Sequence, residues 1–335
     1  MSSHGADINA EVGASIDRDA AARRAHLRIL LGLDLDSPVG RLAEVPPRPA
    51  EGSAGGDVVE VTLLAPCGEP GAAPDAPADE IPAFLLRPAP EHDTGAAVVL
   101  VAGHGRGIDA LVATDPADEY HDALAHKLVR AGVSVLCPEM VSFGRRRVPP
   151  APGVAPLAPE EKTCEIDAAN HLMHGRPVMG RRVADARAAV QALRSLPGVD
   201  PERVGIAGGS GGGAVSLLLA ASDPTISAAL VATYFCTFEA SFFSIRHCPC
   251  NIIPGALPGL EMADIAQLVA PRPLVIEAGE QDHIFPIAAT RESFARLAPV
   301  WETGGATPPE LVVTDAGHAF RGERSVEALL AHLGV

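Results

Sequence analysis

The sequence predicts an α/β domain built around a mostly parallel central sheet with helices on both faces. Short apolar runs of strand length alternate with amphipathic segments of helical length, which is the rhythm of repeated βαβ units. Apolar residues make up 47% of the chain and charged residues only 20%, and Ala, Gly and Val are abundant. Such a composition suits buried parallel strands beneath small-residue helices. A length of 335 residues favours one large domain.

The first part of the chain, residues 1–56, is predicted to be a helical extension and a linker. Residues 16–33 place Ala, Arg and Leu at helical spacing, and the Pro/Gly/Ser-rich stretch Pro46–Gly56 is typical of a connector. Val58–Leu64 alternates as an edge strand does, and Ile81–Leu86 follows as its partner after a loop rich in Pro, Ala and Gly. We therefore expect an antiparallel hairpin to begin the sheet.

Six apolar runs and five amphipathic segments predict the parallel part of the sheet and its helices. The strands are expected at Ala97–Ala102, Val133–Cys137, Val204–Ala207, Ala228–Val231, Leu274–Ala278 and Leu311–Val313. The helices are expected at Glu119–Ala131, Gly180–Leu196, Gly212–Ala221, Pro286–Leu297 and Arg324–Leu333, where apolar residues recur at helical spacing. The whole chain, residues 1–335, is thus predicted to form one domain.

Net charge and apolar patterning argue against several kinds of partner. The formal net charge is -16, which repels nucleic-acid phosphates and anionic lipid, so neither nucleic acid nor a membrane is an expected partner. Residues Met1–Ala20 lack the apolar core of a signal peptide, and no apolar run is long enough to span a bilayer. We therefore expect a cytoplasmic protein. Composition leaves open whether the chain forms a homo-oligomer.

The six cysteines are scattered along the chain and predict reduced thiols rather than a disulfide framework. His247–Cys250, with the sequence His-Cys-Pro-Cys, contains residue types that bind zinc. Paired cysteines of zinc sites are usually separated by two to four residues, however, and a second ligand pair is needed. The sequence offers no evident second pair. These residues are therefore predicted to be structural loop residues, with no metal and no other cofactor.

The strongest chemical signal is Gly208–Gly212, a Gly-Gly-Ser-Gly-Gly run between the predicted strand Val204–Ala207 and the following helix. It matches the nucleophile elbow, a sharp strand-to-helix turn whose strained nucleophile needs small neighbours. Ser210 then lies at a helix N-terminus, and the N–H of Gly211 is the expected first oxyanion donor. A dinucleotide-binding turn fits the same glycines, but the next strand provides no acidic residue for a ribose.

A serine nucleophile needs a general base and a carboxylate that orients the base. The base is expected after the last strand, where His318 follows a glycine. The carboxylate is expected after the penultimate strand, where Asp282 stands. Glu280 and Asp315 are nearby competitors, for which we predict solvated or loop-capping roles. Ser210, Asp282 and His318 are thus the predicted catalytic triad.

The glycine-rich turn Gly103–Gly107 follows the first strand of the parallel part. Glycines at this place let the backbone approach a substrate carbonyl, and the N–H of Arg106 is the expected second oxyanion donor. His104, in the same turn, is expected to brace the loop by hydrogen bonds, with contact to the substrate as the alternative.

The stretch of residues 233–271 is long for a simple crossover between two strands. It predicts a partial cap over the active site, in which Phe235 and Phe238 line the substrate pocket. Packing of the insertion onto the sheet explains these two aromatic residues equally well.

Several motifs in the right order make the sequence similar to the dienelactone-hydrolase-like and acetyl-xylan-esterase-like branch of the α/β hydrolases. Besides the elbow, these are Gly103–Gly105, Ser142–Arg146, Asp200–Gly205, Ala270–Leu274 and Asp282–Pro286. The similarity extends from Arg23 to the C-terminus. It implies the α/β-hydrolase fold and a cofactor-free esterase, in which Ser210 attacks an ester carbonyl, His318 relays the proton and water frees the acyl-enzyme.

Two departures bear on the substrate that the resemblance implies. Dienelactone hydrolases have a cysteine nucleophile where this chain has Ser210, so their lactone specificity is not carried over. Carbohydrate esterases of this branch are often aromatic-rich and secreted, whereas aromatic residues make up 4% of this chain, so polysaccharide is not expected. We expect a serine carboxylesterase acting on a small or medium ester or lactone. A non-hydrolytic lyase, cyclase or acyltransferase and a serine peptidase are the alternatives.

Overall fold

The computed structural model describes residues 19–36, 40–44, 48–49, 58–69, 71–73, 75–114, 120–121 and 123–335. Residues 1–18 and most of the predicted connector Pro46–Gly56 lie outside the described residues. The described part forms one central sheet with helices on both faces, which is the predicted α/β-hydrolase architecture.

Ten strands and ten helices occur in the described ranges. The strands are β1 (Arg41–Leu42), β2 (Arg48–Pro49), β3 (Val58–Ala65), β4 (Asp79–Leu86), β5 (Ala97–Val101), β6 (Ser134–Pro138), β7 (Val204–Gly209), β8 (Ala229–Ala232), β9 (Leu274–Gly279) and β10 (Glu310–Thr314). The helices are α1 (residues 19–31), α2 (Asp109–Val112), α3 (Leu124–Arg130), α4 (Cys164–Met173), α5 (Val178–Arg194), α6 (Gly211–Ser222), α7 (Met262–Gln267), α8 (Ile287–Ala295), α9 (Ala298–Thr303) and α10 (Glu323–His332). Within these ranges, none of the helices is long and apolar enough to cross a membrane.

The strand order creates a crevice at the carboxyl ends of β5 and β7. The order is β1-β3-β4-β6-β5-β7-β8-β9-β10, with β2 also paired to β3. The pairs from β1 to β4, and β4 with β6, are antiparallel, whereas the pairs from β6 through β10 are parallel. The connections after β5 and β7 lead in opposite directions along the sheet. Ligands of open α/β sheets bind at such a reversal.

The centre of the sheet is apolar on both faces because helices cover both. All residues of β5 are fully buried. Val99 and Val101 belong to the core that includes α1, α5 and α6, and Val98 and Leu100 belong to the opposite core with α2, α3 and α10. This two-sided burial explains why the parallel strands read as continuous apolar runs in the sequence.

Helix α1 packs on its own domain. Leu27 and Leu31 are 0% and 2% exposed and join the core on the side of α5 and α6. Arg24 donates a hydrogen bond to the carbonyl of Leu268 at 2.8 Å, and Arg28 donates to the carbonyl of Ser222 at 2.8 Å. Ser222 ends α6, where carbonyl groups lack partners within the helix and favour cations. The helix predicted over residues 16–33 is thereby part of the domain surface.

Two expectations about elements were wrong, and six elements of the described ranges were missed, namely β1, β2, α2, α4, α7 and α9. Val58–Leu64 is not an edge strand, because β1 and β2 pair with its outer side. Helix α3 begins at Leu124, since the left-handed backbone of Ala123, with φ 51°, prevents an earlier start. Helix α4 was not predicted, and it buries only Cys164, Ala168 and His171, which makes a weak apolar stripe.

We predict that Leu27→Ala lowers the free energy of unfolding by about 2–5 kcal/mol, because it removes a fully buried side chain that joins α1 to the core. Ile29→Ala, on the exposed side of the same helix (75% exposed), is the matched control and is expected to change stability by about 0.5 kcal/mol or less. Urea unfolding of both variants measures the difference. Equal effects of the two substitutions would contradict the packing of α1 on the sheet.

Candidate active site

Ser210 occupies the turn between β7 and α6 with a left-handed backbone, φ 53°. This conformation is strained for a residue that carries a side chain. The turn closes because its glycines allow very close contact: a Cβ on Gly208 would lie 2.5 Å from Gly212, and a Cβ on Gly212 would collide with the carbonyl of Val101 on β5. The observed turn agrees with the predicted elbow in place and in local geometry.

The backbone of Ser210 is anchored to the end of the neighbouring strand. Its N–H donates to the carbonyl of Ala232 at 2.9 Å and to the hydroxyl of Thr233 at 3.1 Å. The Thr233 hydroxyl lies 2.9 Å from the hydroxyl of Tyr120, whose ring lies 5.6 Å from that of His318. Thr233 and Tyr120 were not predicted as site residues. The position of Thr233 directly after β8 is the only sequence signal that points to it.

His318, in the loop after β10, lies between the serine and a carboxylate. Its Nε2 is 3.0 Å from Ser210 Oγ, and its Nδ1 is 2.9 Å from Asp282 Oδ2. With its proton on Nδ1, the neutral imidazole donates a hydrogen bond to the carboxylate of Asp282 and accepts a hydrogen bond from the Ser210 hydroxyl at Nε2. The ring of Phe285 stacks on the imidazole, with centroids 5.9 Å apart and planes at 21°. These contacts leave the imidazole little freedom to rotate.

Asp282 is held in the turn after β9 by backbone donors. Its Oδ1 accepts hydrogen bonds from the N–H groups of Ile284 at 2.8 Å and Phe285 at 3.1 Å. Burial opposes ionisation of this carboxyl, but the hydrogen bond from His318, the attraction of the imidazolium that forms when His318 is protonated, and these two N–H groups outweigh burial and lower the pKa of Asp282 below its usual value. The carboxylate is therefore ionised at neutral pH.

The two competing carboxylates have other partners. Glu280 is exposed and forms an ion pair with Arg291 at 2.9 Å. Asp315 is exposed and accepts a hydrogen bond from the side chain of Gln281 at 2.7 Å. Among the described residues, Asp282 is the carboxylate within hydrogen-bond distance of His318. The expected solvated and loop-capping roles of the competitors agree with these contacts.

A second carboxylate, Glu277 in β9, fixes the chain just after His318. It is 1% exposed, accepts a hydrogen bond from the N–H of Arg321 at 2.7 Å and accepts another from the hydroxyl of Ser325. Burial raises the pKa of Glu277 above its usual value. Sequence reasoning missed this residue, although a charge inside an apolar strand run is a usable signal for a buried polar contact.

A third carboxylate, Glu139, holds the loop that follows β5. It is 0% exposed, and it accepts hydrogen bonds from the N–H groups of Ile108 at 3.2 Å and Arg145 at 3.2 Å. A Cβ on Gly107 or Gly144 would collide with its carboxyl group. Burial raises the pKa of Glu139 to about 7. Glu139 thus joins the Gly103–Gly107 loop to the chain after β6.

His104 braces the same loop against the elbow. A Cβ on Gly211 would lie 2.8 Å from His104 Nδ1, so the imidazole lies directly against this glycine. The Nε2 atom lies 3.1 Å from Cys250 Sγ, and burial lowers the pKa of His104. Arg106 lies nearby with an exposed side chain; its N–H as an oxyanion donor stays a prediction.

A cavity of about 310 Å³ opens in front of Ser210. Besides Ser210 and Gly211, its lining consists of His104, Tyr120, Lys162, Tyr234, Ile245, Arg246, His247, Cys248, Asn251, Ile284, Phe285 and His318. Residues 245–251 belong to the stretch predicted as a cap. Contrary to prediction, neither Phe235 nor Phe238 lines this cavity. Phe235 is 1% exposed and belongs to the core, and Phe238 lines a neighbouring cavity, because both fill space beneath the insertion.

Comparison with known proteins identifies the family. The sequence profile of the dienelactone hydrolase family matches residues 81–327, which extend from β4 into α10. The chain belongs to this family. The chain is 26% identical over 253 residues to YtaP of Bacillus subtilis (strain 168), a protein assigned as a hydrolase, and the match covers 72% of this chain and 79% of the relative.

Solved structures with the same fold include esterases. A protein assigned as an acetyl xylan esterase from Bacteroides fragilis superposes with a TM-score of 0.67 at 14% identity, over 88% of this chain and 74% of its own. A glucuronoyl esterase from Solibacter usitatus superposes with a TM-score of 0.61 at 15% identity, over 93% and 91%. At such identities the likeness shows the fold alone. Membership in the dienelactone hydrolase family makes this protein a hydrolase of carboxylic esters.

We predict that Glu139 makes the stability of the protein depend on pH. Its pKa is raised from 4.5 to about 7, so the folded state binds this proton more tightly than the unfolded chain. The stabilisation is complete below about pH 4.5 and is lost as the pH rises through about 7, at roughly 1.4 kcal/mol per pKa unit. The contribution of Glu139 to the free energy of unfolding is therefore expected to fall across this range.

Glu139→Gln, which keeps an oxygen acceptor without the titrating proton, is expected to remove this decrease. Urea unfolding at about pH 5 and about pH 8 measures it. Glu80→Gln, which changes an exposed glutamate on β4, is the control and should keep the pH dependence of the wild type. An unchanged pH dependence in Glu139→Gln would contradict the prediction.

Proposed function

We propose that the protein is a serine carboxylesterase that hydrolyses small or medium esters through an acyl-enzyme on Ser210. The observation that carries the proposal is the continuous chain of hydrogen bonds from Ser210 Oγ through His318 to Asp282, with distances of 3.0 and 2.9 Å. In such a chain the imidazole removes the serine proton, while the carboxylate orients and stabilises the imidazole. Membership in the dienelactone hydrolase family supports the same chemistry.

Acylation begins when Ser210 Oγ forms a bond to the ester carbonyl carbon and its proton passes to His318 Nε2. The carbonyl electrons move onto the oxygen, which gives a tetrahedral intermediate. The bond from carbon to the alcohol oxygen then breaks, and this oxygen takes the proton from His318. Asp282 stays ionised throughout, as its lowered pKa favours.

Deacylation repeats these steps with water in place of the serine. Water gives a proton to His318 as its oxygen bonds to the acyl carbon, and the bond to Ser210 Oγ breaks as the proton returns. The proposed oxyanion donors are the N–H groups of Gly211 and Arg106. Gly211 begins α6, where the positive end of the helix dipole favours the negative oxygen. No cofactor is required by these steps.

The cavity supports a small substrate that carries a negative charge. Its volume of about 310 Å³ lies at the lower end of small-molecule sites. Tyr234, Ile284 and Phe285 provide apolar and aromatic walls, and Lys162 and Arg246 provide positive charge. No carboxylate occurs among the described residues that line the cavity. A monoester of a small dicarboxylic acid fits this combination of size and charge.

We predict that Ser210→Ala abolishes turnover of p-nitrophenyl esters and that Asp282→Asn lowers kcat by about 10³–10⁴-fold, because an uncharged amide no longer holds the imidazole in the productive tautomer. Initial rates with acyl chains from acetate to octanoate measure both effects and define the length that the cavity accepts.

Glu280→Gln is the matched control for Asp282→Asn, since Glu280 lies in the same loop and forms an ion pair away from His318. It is expected to retain wild-type kcat. Full activity in Asp282→Asn would contradict the proposed role of Asp282. Failure of a fluorophosphonate to label Ser210 would contradict its proposed role as the nucleophile. Product analysis with added alcohol shows whether water completes the reaction.

We predict that Lys162→Ala and Arg246→Ala each raise KM for a p-nitrophenyl monoester of glutarate by about 2- to 5-fold, which is the scale of a solvent-exposed ion pair. The neutral butyrate ester is the matched control, and its KM is expected to stay unchanged. The increase in KM for the glutarate ester should be smaller at high salt, because screening weakens exposed charge pairs. Equal effects on both substrates would show that these cations do not select an anionic group.

A further inference from the structure

Three separate parts of the chain bring four metal-binding side chains together beside the Gly103–Gly107 loop. They are His104 after β5, Cys164 at the start of α4, and Cys248 and Cys250 between β8 and β9. One donor atom from each lies within 4.8 Å of the others. We call this group the Cys/His cluster. Cys164 and His104 are the second ligand pair that the sequence did not reveal.

The distances within the Cys/His cluster suit a tetrahedral metal ion. With zinc–sulfur bonds of about 2.3 Å and zinc–nitrogen bonds of about 2.0 Å, a tetrahedral site separates two sulfur atoms by about 3.8 Å and a sulfur from a nitrogen by about 3.5 Å. Cys248 Sγ and Cys250 Sγ are 3.1 Å apart, His104 Nε2 and Cys250 Sγ are 3.1 Å apart, and all four donor atoms lie within 4.8 Å of one another. The required values lie inside this range.

A buried arginine indicates that the cysteines carry negative charge. Arg182 is 0% exposed, and its Nη2 lies 3.3 Å from Cys164 Sγ. Its Nε and Nη2 donate hydrogen bonds to the carbonyl of Val141 at 3.2 and 3.1 Å, but none of the described carboxylates forms an ion pair with it, and its Nη1 has no hydrogen-bond partner among the described residues. Burial of a guanidinium without a counter-charge is costly. A divalent ion with three thiolates and a neutral imidazole has a net charge of -1, which Arg182 neutralises.

The surroundings of the Cys/His cluster are those of a structural metal site. Cys164 and Cys250 are fully buried, and the amide of Asn251 lies 3.7 Å from Cys250 Sγ, where it can donate to a thiolate. Phe143 packs against both the imidazole of His104 and the guanidinium of Arg182, which excludes water from one side. Such outer contacts orient ligands and tune a metal.

We propose that His104, Cys164, Cys248 and Cys250 form a closed tetrahedral zinc site. Four protein ligands, three of them thiolates, are the donor set and the geometry that zinc prefers in structural sites. The ion would bind His104 through Nε2, and it would fasten the Gly103–Gly107 loop to α4 and to the stretch of residues 233–271. Its effect on catalysis rests on the proposed function, because that loop supplies a proposed oxyanion donor. The binding of zinc does not rest on the proposed function.

Elemental analysis of the purified full chain is the first test. Protein produced with zinc and then dialysed is expected to hold one zinc ion per chain. Cys164→Ser and Cys250→Ser should weaken zinc binding by more than the roughly 10–100-fold that loss of an outer contact costs. Cys67→Ser removes a thiol outside the Cys/His cluster and should keep one zinc ion. Wild type without bound zinc under these conditions would overturn the proposal.

Cobalt in the unmodified chain provides a test that does not depend on the folding of variants. Replacement of zinc by Co²⁺ is expected to give the charge-transfer and visible bands of a tetrahedral cobalt–thiolate centre. X-ray absorption at the zinc edge should show three sulfur ligands and one nitrogen ligand. A spectrum of octahedral cobalt with oxygen ligands would contradict the proposed site.

Thiol counting distinguishes the metal site from a disulfide. All six cysteines are expected to react after denaturation in the presence of a chelator. Four reactive thiols, which is six minus the two of one disulfide, would replace the zinc site by a redox-active pair and overturn the proposal.

Chelation and the Ser210→Ala variant separate the metal site from the esterase activity. Removal of zinc is expected to lower kcat for small esters by at least several-fold, with recovery when zinc is added back. Ser210→Ala should keep its zinc ion although it is inactive. A zinc-free chain with full activity would overturn the proposed effect of zinc on catalysis, whereas a chain that holds zinc and hydrolyses no ester would leave the site in place and overturn the proposed function.

Discussion

The geometry of the site depends on the close approach of α6 to β5 and β7. At Gly208 and Gly212 the backbones are so near one another that a side chain on either glycine would have to displace the helix. This contact sustains the strained backbone of Ser210 and sets its Oγ 3.0 Å from His318. Because protein interiors are close-packed, an outward shift of α6 would move the nucleophile and the helix N-terminus together. In the proposed mechanism, the same contact therefore controls both the attack by Ser210 and the stabilisation of the oxyanion.

Buried carboxylates position the loops that strand pairing leaves undetermined. Glu139 binds N–H groups after β5 and β6, and Glu277 binds the chain between His318 and α10. These bonds offset much of the cost of removing a carboxylate from water. Burial raises the pKa of both, whereas contacts with His318 and backbone N–H groups lower the pKa of Asp282. The carboxylate aimed at the imidazole is the one whose surroundings favour ionisation.

The Cys/His cluster and the cavity in front of Ser210 have residues in common. His104 belongs to both, since its imidazole lies against Gly211 on one side and reaches Cys250 on the other. Cys248 also lines the cavity. The stretch of residues 233–271 therefore contributes to the substrate cavity and to the cluster at once. A metal ion there would join this stretch to the catalytic loops through coordination bonds, which constrain distances more tightly than apolar packing does.

The sequence by itself determined the parallel strands, the elbow turn and the choice of His318 as the candidate base, because apolar runs and a strand-turn-helix glycine motif are local patterns. Only the tertiary structure decided that Asp282 reaches His318 while Glu280 and Asp315 do not, and that Phe235 packs inward. It alone brought Cys164 to Cys250. Such contacts join residues far apart in the chain, and their distances follow from how helices and loops pack on the sheet, which no local pattern specifies.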